Sequence, residues 1–430
     1  MNIAGIIVEY NPFHNGHVYH IEKTREITNA DAVVAVMSGN FVQRGEPALL
    51  DKFSRAEAAV KSGADLVVEL PSLFAVQSAE LFAKGSVSLL NSLGCINYIC
   101  FGSEAGSTEL LIPAAKVLYS EPEYFKERLS YYMEKGNLFA SARINALCDY
   151  IKKYDNDLAE KFSSDDILSI LSSSNNILGL EYIKALMNLN SHIKPFTIER
   201  IVSDYNSEDL SGKISSATSI RNALNNINQN NALISDEIRD AVPENMYSIL
   251  KRQMENKFYP VYKDDFFDAL ISIIIRDYEK LDEIFEISEG IENRIFKAAL
   301  KAKDYSELEE GIKSKRYTMT RVKRCLNNIL LGITKDDIQK AKEAKSIPYV
   351  RILAFNDIGR RVIKEIKNSS DIKIINKFSE VEHHLDDDSF RLFIKNDIRC
   401  TDIYNTVYYK NRRELVKGSM DYYIKPYYNR

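Results

Sequence analysis

Short apolar runs alternate with longer amphipathic segments through the first hundred residues, and this alternation constrains the fold of the chain most. The predicted strands are residues 3–9, 32–38, 66–70 and 96–101, and the predicted helices between them are residues 18–28, 54–62 and 75–93. Strands that are apolar on both faces and alternate with helices are typical of a parallel sheet covered on both sides. The pattern therefore predicts an α/β fold with a doubly wound parallel sheet.

The loops after these strands are the expected place for function. In an open parallel sheet, ligands bind beyond the carboxyl ends of the strands, where the strand order reverses. The loops that follow the four predicted strands are also the richest in Gly, Asn, His and acidic residues. We therefore look for the site there.

The alternation stops near residue 240. Before it, a helix is predicted over residues 178–189 and a strand over 196–201, whereas residues 245–345 have a helical pattern. The remainder of the chain is mixed and rich in tyrosine. A chain of 430 residues is long enough for two cores. We predict an α/β domain at residues 1–240 and a mainly helical region at residues 241–430.

The composition excludes several classes of protein. The five cysteines are dispersed, which favours reduced thiols over a disulfide or zinc framework. No run approaches the ~20 apolar residues of a membrane-spanning helix, and the N-terminus lacks the basic segment of a signal peptide. We therefore expect a cytoplasmic chain that does not use a membrane. The formal net charge of −4 restricts any nucleic-acid contact to a local basic surface.

Two histidines at a predicted helix start form the first chemical motif. His14 and His17 lie three residues apart, which places both imidazoles on one face of the first turn. A helix N-terminus favours a phosphate, and imidazole donors stabilise the charge that develops in adenylyl transfer. Gly16, between them, is expected to let a flat base approach the backbone. Alone, the pair also fits a helix surface or a core contact, and with His20 it forms a weaker candidate metal face.

A run of hydroxyl residues before a later predicted helix forms the second motif. Residues 211–221 carry five Ser/Thr and end at Arg221, so hydroxyls, backbone donors and a cation are combined as in a phosphate clamp. We assign Ser216 and Arg221 to this clamp, and the alternative is an ordinary helix N-cap. The segment lacks the glycine spacing of a Walker A loop, and the chain contains no GxGxxG fingerprint.

Together, the two motifs resemble a known pair of signatures. Residues 14–17 and 214–221 are similar to the HxGH and ISSTxxR signatures of the nucleotidyltransferase superfamily. Longer strings narrow the resemblance to the bacterial tRNA(Met) cytidine acetate ligase family. These strings are residues 5–17, 37–47, 69–71, 77–80 and 100–104. The resemblance covers the whole predicted N-terminal domain, and the chain length fits.

The resemblance implies a two-step reaction. Acetate attacks the α-phosphate of ATP, giving acetyl-adenylate and pyrophosphate, and the N4 amine of the wobble cytidine of elongator tRNA(Met) then accepts the acetyl group. His14, His17, Ser216 and Arg221 take the catalytic positions, and Mg²⁺ accompanies ATP as a phosphate-bound ion. The implied ATP-binding residues are Ile7, Val8, Glu9, Tyr10, Asn11, Pro12, Phe13, His14, Asn15, Gly16, His17, Val18, Tyr19, His20, Gly102, Asn175, Asn176 and Arg200.

Some of these positions also have ordinary structural explanations. Gly102 ends a predicted strand, where it either admits a ribose or base or makes a turn. Arg200 ends another strand and offers its guanidinium either to phosphate oxygens or to solvent. Ser174 stands where the family pattern has proline, which leaves open whether Asn175 or Asn176 contacts ATP.

The loop at residues 39–47 is a further candidate because it follows the second predicted strand. Two glycines flank it, and aromatic and basic residues lie within it and just after it. A mobile loop of this composition is expected to close over the acyl-adenylate and exclude water. The alternative is a surface loop with solvated charges.

Two basic stretches are predicted to bind tRNA. Residues 313–324 contain six cations and no acid, and residues 391–430 contain nine cations and four acids interleaved with tyrosines. Cations follow phosphates and aromatic rings stack on unpaired bases, which suits an anticodon loop, although such stretches also occur as solvated surface or core. The predicted tRNA contacts are Lys315, Arg316, Arg321, Lys323, Arg324, Arg412 and Arg413. No protein partner is implied.

Two other functions stay open at this point. A nucleotidyltransferase that moves AMP to a phosphate-bearing cofactor precursor would share the motifs, but it leaves the region after residue 240 without a role. A non-catalytic nucleotide- or RNA-binding protein would share the fold, but it gives no reason for the intact His14, His17 and Arg221.

Overall fold

The computed structural model describes residues 1–199, 216–230, 236–344, 346–381, 387–408 and 418–430. The strands in these ranges are β1 Ile3–Val8, β2 Ala32–Ser38, β3 Phe41–Val42, β4 Glu46–Pro47, β5 Leu66–Leu70, β6 Tyr98–Ser103, β7 Lys194–Glu199, β8 Tyr349–Asn356, β9 Lys373–Ile375 and β10 Tyr427–Asn429. The helices of the N-terminal half are α1 Asn15–Thr28, α2 Lys52–Lys61, α3 Ser72–Ala75, α4 Ala79–Ser92, α5 Leu111–Ser120, α6 Glu123–Glu134, α7 Phe139–Tyr154, α8 Asn156–Lys161, α9 Ser164–Ser172 and α10 Ser174–Asn188.

The second half of the chain is mainly helical. Its helices are α11 Ala217–Asn230, α12 Asp236–Ala241, α13 Glu244–Glu255, α14 Phe267–Arg276, α15 Ile291–Ala299, α16 Tyr305–Ile312, α17 Met319–Leu331, α18 Lys335–Glu343, α19 Asp357–Ser369 and α20 Asp388–Asn405. Short 3₁₀ turns lie at Lys263–Phe266, Tyr278–Glu283, Phe378–Glu380, Thr406–Tyr408 and Met420–Tyr422. None of the helices that the structure describes is long and apolar enough to cross a membrane.

One sheet of eight strands runs through the described residues in the order β10-β8-β5-β2-β1-β6-β7, with β9 also paired to β8. The five strands from β5 to β7 are parallel, as the alternation of strands and helices predicts. The addition of β8 differs from the prediction, because this strand pairs antiparallel to β5 and makes the sheet mixed.

Both faces of the sheet are covered, and alternate residues of each central strand enter different cores. In β2, Val33 and Ala35 pack on the face covered by α1, α2 and α11–α13, whereas Val34 and Val36 pack on the opposite face. That opposite core continues through α4 and α10 into the helices of the C-terminal half. Burial on both faces is the physical reason that these strands are continuously apolar.

The sheet contains strands from both sides of residue 240. Val67 of β5 pairs with Ala354 of β8, and Asn356 donates its backbone N–H to the carbonyl oxygen of Asp65 at 3.0 Å. The mainly helical region therefore contributes a strand to the α/β layer. The boundary at residue 240 stays a prediction.

Candidate active site

The segment after β1 makes the turn that begins the site. Tyr10 has a positive φ of 52° and is buried, and its ring packs on Phe13 at 4.6 Å and on His17 at 4.8 Å between centroids. Asn11 is also buried, and its Oδ1 accepts the backbone N–H of Leu49 at 2.7 Å. This packing holds the turn that leads into α1.

His14 is the N-cap residue of α1. Its Nδ1 accepts the backbone N–H of Gly16 at 3.1 Å, and the Nδ1 of His17 accepts the backbone N–H of His14 at 3.1 Å. The two histidines thus form a capping box, a role that Ser and Glu fill more often. A neutral imidazole whose Nδ1 accepts carries its proton on Nε2. Each ring therefore has an Nε2–H donor at the start of the helix, where a phosphate is also favoured.

The two imidazoles stack on each other. Their centroids are 3.8 Å apart with 29° between the ring planes, and both side chains are half-buried. The helix-start prediction for this pair is confirmed, and the pair is part of the helix cap rather than a plain surface contact.

Gly16 has a structural reason besides the expected one. A Cβ at this position would lie 2.9 Å from Cε1 of His14. The missing side chain therefore gives room to the His14 ring, and the approach of a flat base to the backbone stays a prediction.

The other residues of the segment 7–20 have mostly structural contacts. Buried side chains belong to Ile7, Val8, Pro12 and Phe13. Half-buried ones belong to Asn15, Val18, Tyr19 and His20, of which Val18 and Tyr19 pack against the core. Nδ2 of Asn15 donates to the carbonyl oxygen of Asp240 at 2.9 Å, and Nε2 of His20 lies 3.3 Å from the carbonyl oxygen of Cys100 in β6. The described residues contain no cluster of three or more potential metal ligands.

Arg221 brings the second motif to the first. Its Nη1 donates to the carbonyl oxygen of Asn11 at 2.8 Å, and its Nη2 donates to Oγ1 of Thr218 at 3.1 Å. Ser216 accepts the backbone N–H of Ser219 at 3.1 Å, just before α11 begins. Residues 210 positions apart thus meet at one edge of the sheet. Ser216 makes the N-cap contact that was the ordinary alternative, and its catalytic role stays a prediction.

Glu9 lies at the same edge, directly after β1. Its Oε1 accepts the backbone N–H of Gln43 at 2.8 Å. Burial raises the pKa of the Glu9 carboxyl above its ordinary value, although the Gln43 hydrogen bond and the charges of Arg44, Arg221 and Arg55 oppose this effect.

The loop at residues 39–47 forms a hairpin that packs against neighbouring elements, and its closure over the acyl-adenylate stays a prediction. β3 and β4 pair antiparallel, and Gly45 at their turn has a φ of 76°. A Cβ there would lie 2.7 Å from the backbone of Lys323, whose Nζ donates to Glu46 at 2.6 Å. The hairpin therefore connects Glu9 on one side to α17 on the other.

Arg55, one of the basic residues just after the candidate loop, is fully buried. Its guanidinium donates to the carbonyl oxygens of Leu50 at 2.9 Å, Glu9 at 2.5 Å and Gly39. These bonds tie the ends of β1 and β2 together, and burial lowers the pKa of Arg55.

Around β6, Glu104 organises the predicted asparagines. Its carboxylate accepts from Nδ2 of Asn175 at 2.6 Å and from the backbone of Asn176 at 3.1 Å. The amide of Asn176 is fully buried and bonds to the backbone of Glu104 and Ile170, whereas Asn175 is half-exposed. Gly102 is half-exposed in β6, opposite Ile198 of β7. Arg200 lies outside the described residues.

Most of the predicted tRNA contacts form ion pairs within the chain. Arg316 and Arg321 pair with Glu289, each at 3.4 Å, and Arg324 pairs with Glu286 at 2.8 Å. Lys323 pairs with Glu46 at 2.6 Å, and Lys315 is exposed. Arg412 and Arg413 lie outside the described residues.

A model of the HIGH Nucleotidyl Transferase family matches residues 1–418, so fold and site define a nucleotidyl transferase of this class. Curated relatives include the tRNA(Met) cytidine acetate ligase of Clostridium perfringens, 45% identical over 427 residues that cover 99% of both chains. That of Acetivibrio thermocellus is 43% identical over 412 residues, 96% of both chains. The chain therefore belongs to the tRNA(Met) cytidine acetate ligase family, whose members are ligases.

Two solved structures are similar over the whole chain. Both are crystal structures of TmcAL from Thermotoga maritima, 33% identical, covering 100% of this chain and 99% of that one. The form bound with alpha-thio ATP has a TM-score of 0.89 and the apo form 0.90. This likeness confirms the predicted α/β fold with a mostly helical C-terminal part.

Proposed function

We propose that this chain activates acetate with ATP and transfers the acetyl group to N4 of the wobble cytidine of elongator tRNA(Met). The bond from Arg221 to the carbonyl oxygen of Asn11, beside the stacked His14 and His17, is the observation that carries this proposal. It joins the two signatures into one anion site. The names of the relatives supply the acceptor.

In the first step, the α-phosphate of ATP binds at the N-terminus of α1. The Nε2–H groups of His14 and His17 donate to its oxygens, and Arg221 contributes a positive charge as the phosphorus becomes five-coordinate. Mg²⁺, if bound by the phosphates, would supply positive charge to the departing pyrophosphate. Acetate oxygen forms the new P–O bond, and acetyl-adenylate stays in the site.

Of the two asparagines, Asn175 is our choice for the nucleotide contact. The amide of Asn176 already bonds to the backbone of Glu104 and Ile170 and is fully buried. Asn175 is half-exposed at the start of α10, and its amide, although Nδ2 donates to Glu104, can be reached by a ribose or base.

The tRNA is proposed to reach this edge across α17. Lys323 on that helix bonds to Glu46 of the hairpin, and Gln43 of the same hairpin bonds to Glu9. The basic residues 315–324 are therefore connected to the catalytic edge through one short hairpin. A loop whose phosphates lie on α17 would present its unpaired bases to the site.

Transfer of radiolabelled acetate tests the proposal. The protein is incubated with ATP, labelled acetate and transcripts of elongator tRNA(Met) that carry C or U at the wobble position. We expect acetate-dependent release of pyrophosphate and label on the C transcript alone. Adenylate without any label on tRNA would contradict the acceptor assignment, and no acetate-dependent pyrophosphate would contradict the activation step.

A further inference from the structure

We propose that Glu9 is the base of the second step and accepts the proton that leaves the cytidine N4 amine. This inference rests on the proposed function, because it concerns the transfer of acetyl to that amine. Glu9 is the first residue beyond β1, at the edge where Arg221 contacts Asn11. It would act on the reacting nitrogen and is therefore proposed as a catalytic residue.

The carboxylate of Glu9 is held in place by one oxygen. Oε1 accepts the backbone N–H of Gln43 at 2.8 Å, and the Glu9 carbonyl accepts from Arg55 at 2.5 Å. In the part of the chain that the structure describes, Glu9 has no salt bridge within 4.0 Å. An anchored carboxylate without a close counter-ion retains lone pairs that can accept a proton.

The other groups at this edge are poorly suited to accept a proton. The Nδ1 lone pairs of His14 and His17 already accept backbone N–H groups, so their neutral rings offer donors. Arg221 has no acceptor. Glu104 accepts from the two asparagines, and Glu46 is paired with Lys323. Among the described residues at this edge, this comparison leaves Glu9 as the acceptor that we assign.

The electrostatic surroundings suit a base. Arg44 of the hairpin, Arg55 of α2 and Arg221 of α11 face Glu9, and the buried Tyr182 of α10 is also within electrostatic range. Burial raises the pKa of the Glu9 carboxyl despite these cations. A carboxylate with a raised pKa binds a proton more strongly, which makes it a better base near neutral pH.

In the transfer step, the acetyl group moves from AMP to the N4 amine of cytidine. The N4 lone pair attacks the acetyl carbonyl carbon of acetyl-adenylate, forming the C–N bond. The bond between that carbon and the phosphate oxygen breaks, and AMP leaves with its electron pair. The N4 proton moves to the Glu9 carboxylate and from there to water. The products are N4-acetylcytidine, AMP and one proton.

Glu9→Gln in the full-length protein tests this role, because glutamine keeps an oxygen for the Gln43 N–H but is not a base. We expect acetyl transfer from preformed acetyl-adenylate to tRNA, measured in a single turnover, to be at least ~100-fold slower, a much larger loss than that of acetate-dependent ATP–pyrophosphate exchange. The matched control is Glu109→Gln, a surface carboxylate paired with Lys161, for which both rates stay unchanged.

The pH profile separates a base from a residue that only holds the hairpin. For the original protein, single-turnover transfer slows tenfold per pH unit below the pKa of Glu9, and in Glu9→Gln this acid limb is absent. Unimpaired transfer by Glu9→Gln, or an equal loss in both half-reactions, would overturn the proposal. Failure of the original protein to acetylate tRNA would instead contradict the proposed function.

Discussion

In the proposed mechanism, His14 combines a structural and a chemical role in one ring. Its Nδ1 caps α1 and its Nε2–H is the proposed donor to the phosphate, so the position of that donor is fixed by the same bond that starts the helix. The stacked His17 fixes the ring plane as well. Rigid placement of donors before the reaction is what makes electrostatic stabilisation effective.

Gly16→Ala is therefore expected to slow adenylate formation more than it lowers the stability of the fold. The new Cβ would lie 2.9 Å from Cε1 of His14 and would displace the ring. Because small misplacements of catalytic groups are costly, we expect ATP–pyrophosphate exchange to fall about 10- to 100-fold. The melting temperature should change little, since alanine favours the helix. Gly418→Ala, where a Cβ meets nothing within 4 Å, is the control and keeps full activity. Normal exchange in Gly16→Ala would show that the ring tolerates displacement.

Among the elements, the β3–β4 hairpin is the connection between Glu9 and α17. The backbone N–H of Gln43 contacts Glu9. On the other side, Gly45 lies against the backbone of Lys323 and Glu46 forms a salt bridge with the same lysine, so the position of the hairpin depends on close approach to α17. A hairpin of two-residue strands has little stability of its own and needs such contacts.

Gly45→Ala is expected to displace the hairpin from α17. The residue has a φ of 76°, and a Cβ would lie 2.7 Å from the backbone of Lys323. Gly136→Ala, at a φ of 83° with nothing within 4 Å, has the same backbone strain without the clash. In each variant, we expect this backbone strain to lower the free energy of unfolding by about 1–2 kcal/mol, measured by urea unfolding. Only Gly45→Ala should also lose tRNA acetylation, by at least about tenfold. Equal acetylation in both variants would contradict the connection.

The basic residues near α17 are expected to differ in what they do. Lys315 is exposed, so Lys315→Gln should weaken tRNA binding about two- to fivefold and reduce its salt dependence, with no change in unfolding. Arg324 is mostly buried against Glu286, so Arg324→Gln leaves an unpaired carboxylate and should lower the free energy of unfolding by about 1–3 kcal/mol. Filter binding at two salt concentrations and urea unfolding distinguish the two effects. Identical behaviour of the variants would contradict this assignment.

Local features of the fold could be predicted from the sequence, whereas contacts between distant residues could not. The central strands β2 and β5 match the predicted residues 32–38 and 66–70, because a strand buried on both faces has a continuous apolar sequence. The start of α1 was predictable because a cap is local. Lys323 was predicted as a tRNA contact, and its ion pair with Glu46 could not be predicted because the two residues are 277 positions apart. Contacts of that range are set by tertiary packing, which no local pattern contains.

At the scale of the whole molecule, buried charges join the C-terminal residues to the α/β layer. Nζ of Lys52, at the start of α2, donates to both oxygens of Glu69 at 2.8 and 2.9 Å, to Asp421 at 2.9 Å and to Thr401 at 3.2 Å. Lys52 and Asp421 are fully buried. Burial dominates the pKa of Glu69, raising it to about 7. A charged cluster of this kind requires all its members to fold together.

Lys52→Met is expected to destabilise both halves of the chain at once. Removing the ammonium leaves Glu69 and Asp421 buried without their shared counter-ion, which should cost about 3–5 kcal/mol. Lys61→Met, on the same helix, removes a partly exposed i,i+4 pair with Glu57, which keeps Arg252 as a partner, and should cost less than about 1 kcal/mol. In urea, fluorescence of the tyrosines and far-ultraviolet circular dichroism should follow one shifted transition, because β8 and Asp421 bind the two regions together. Two separate transitions, only one of them shifted, would instead support independent folding on either side of residue 240.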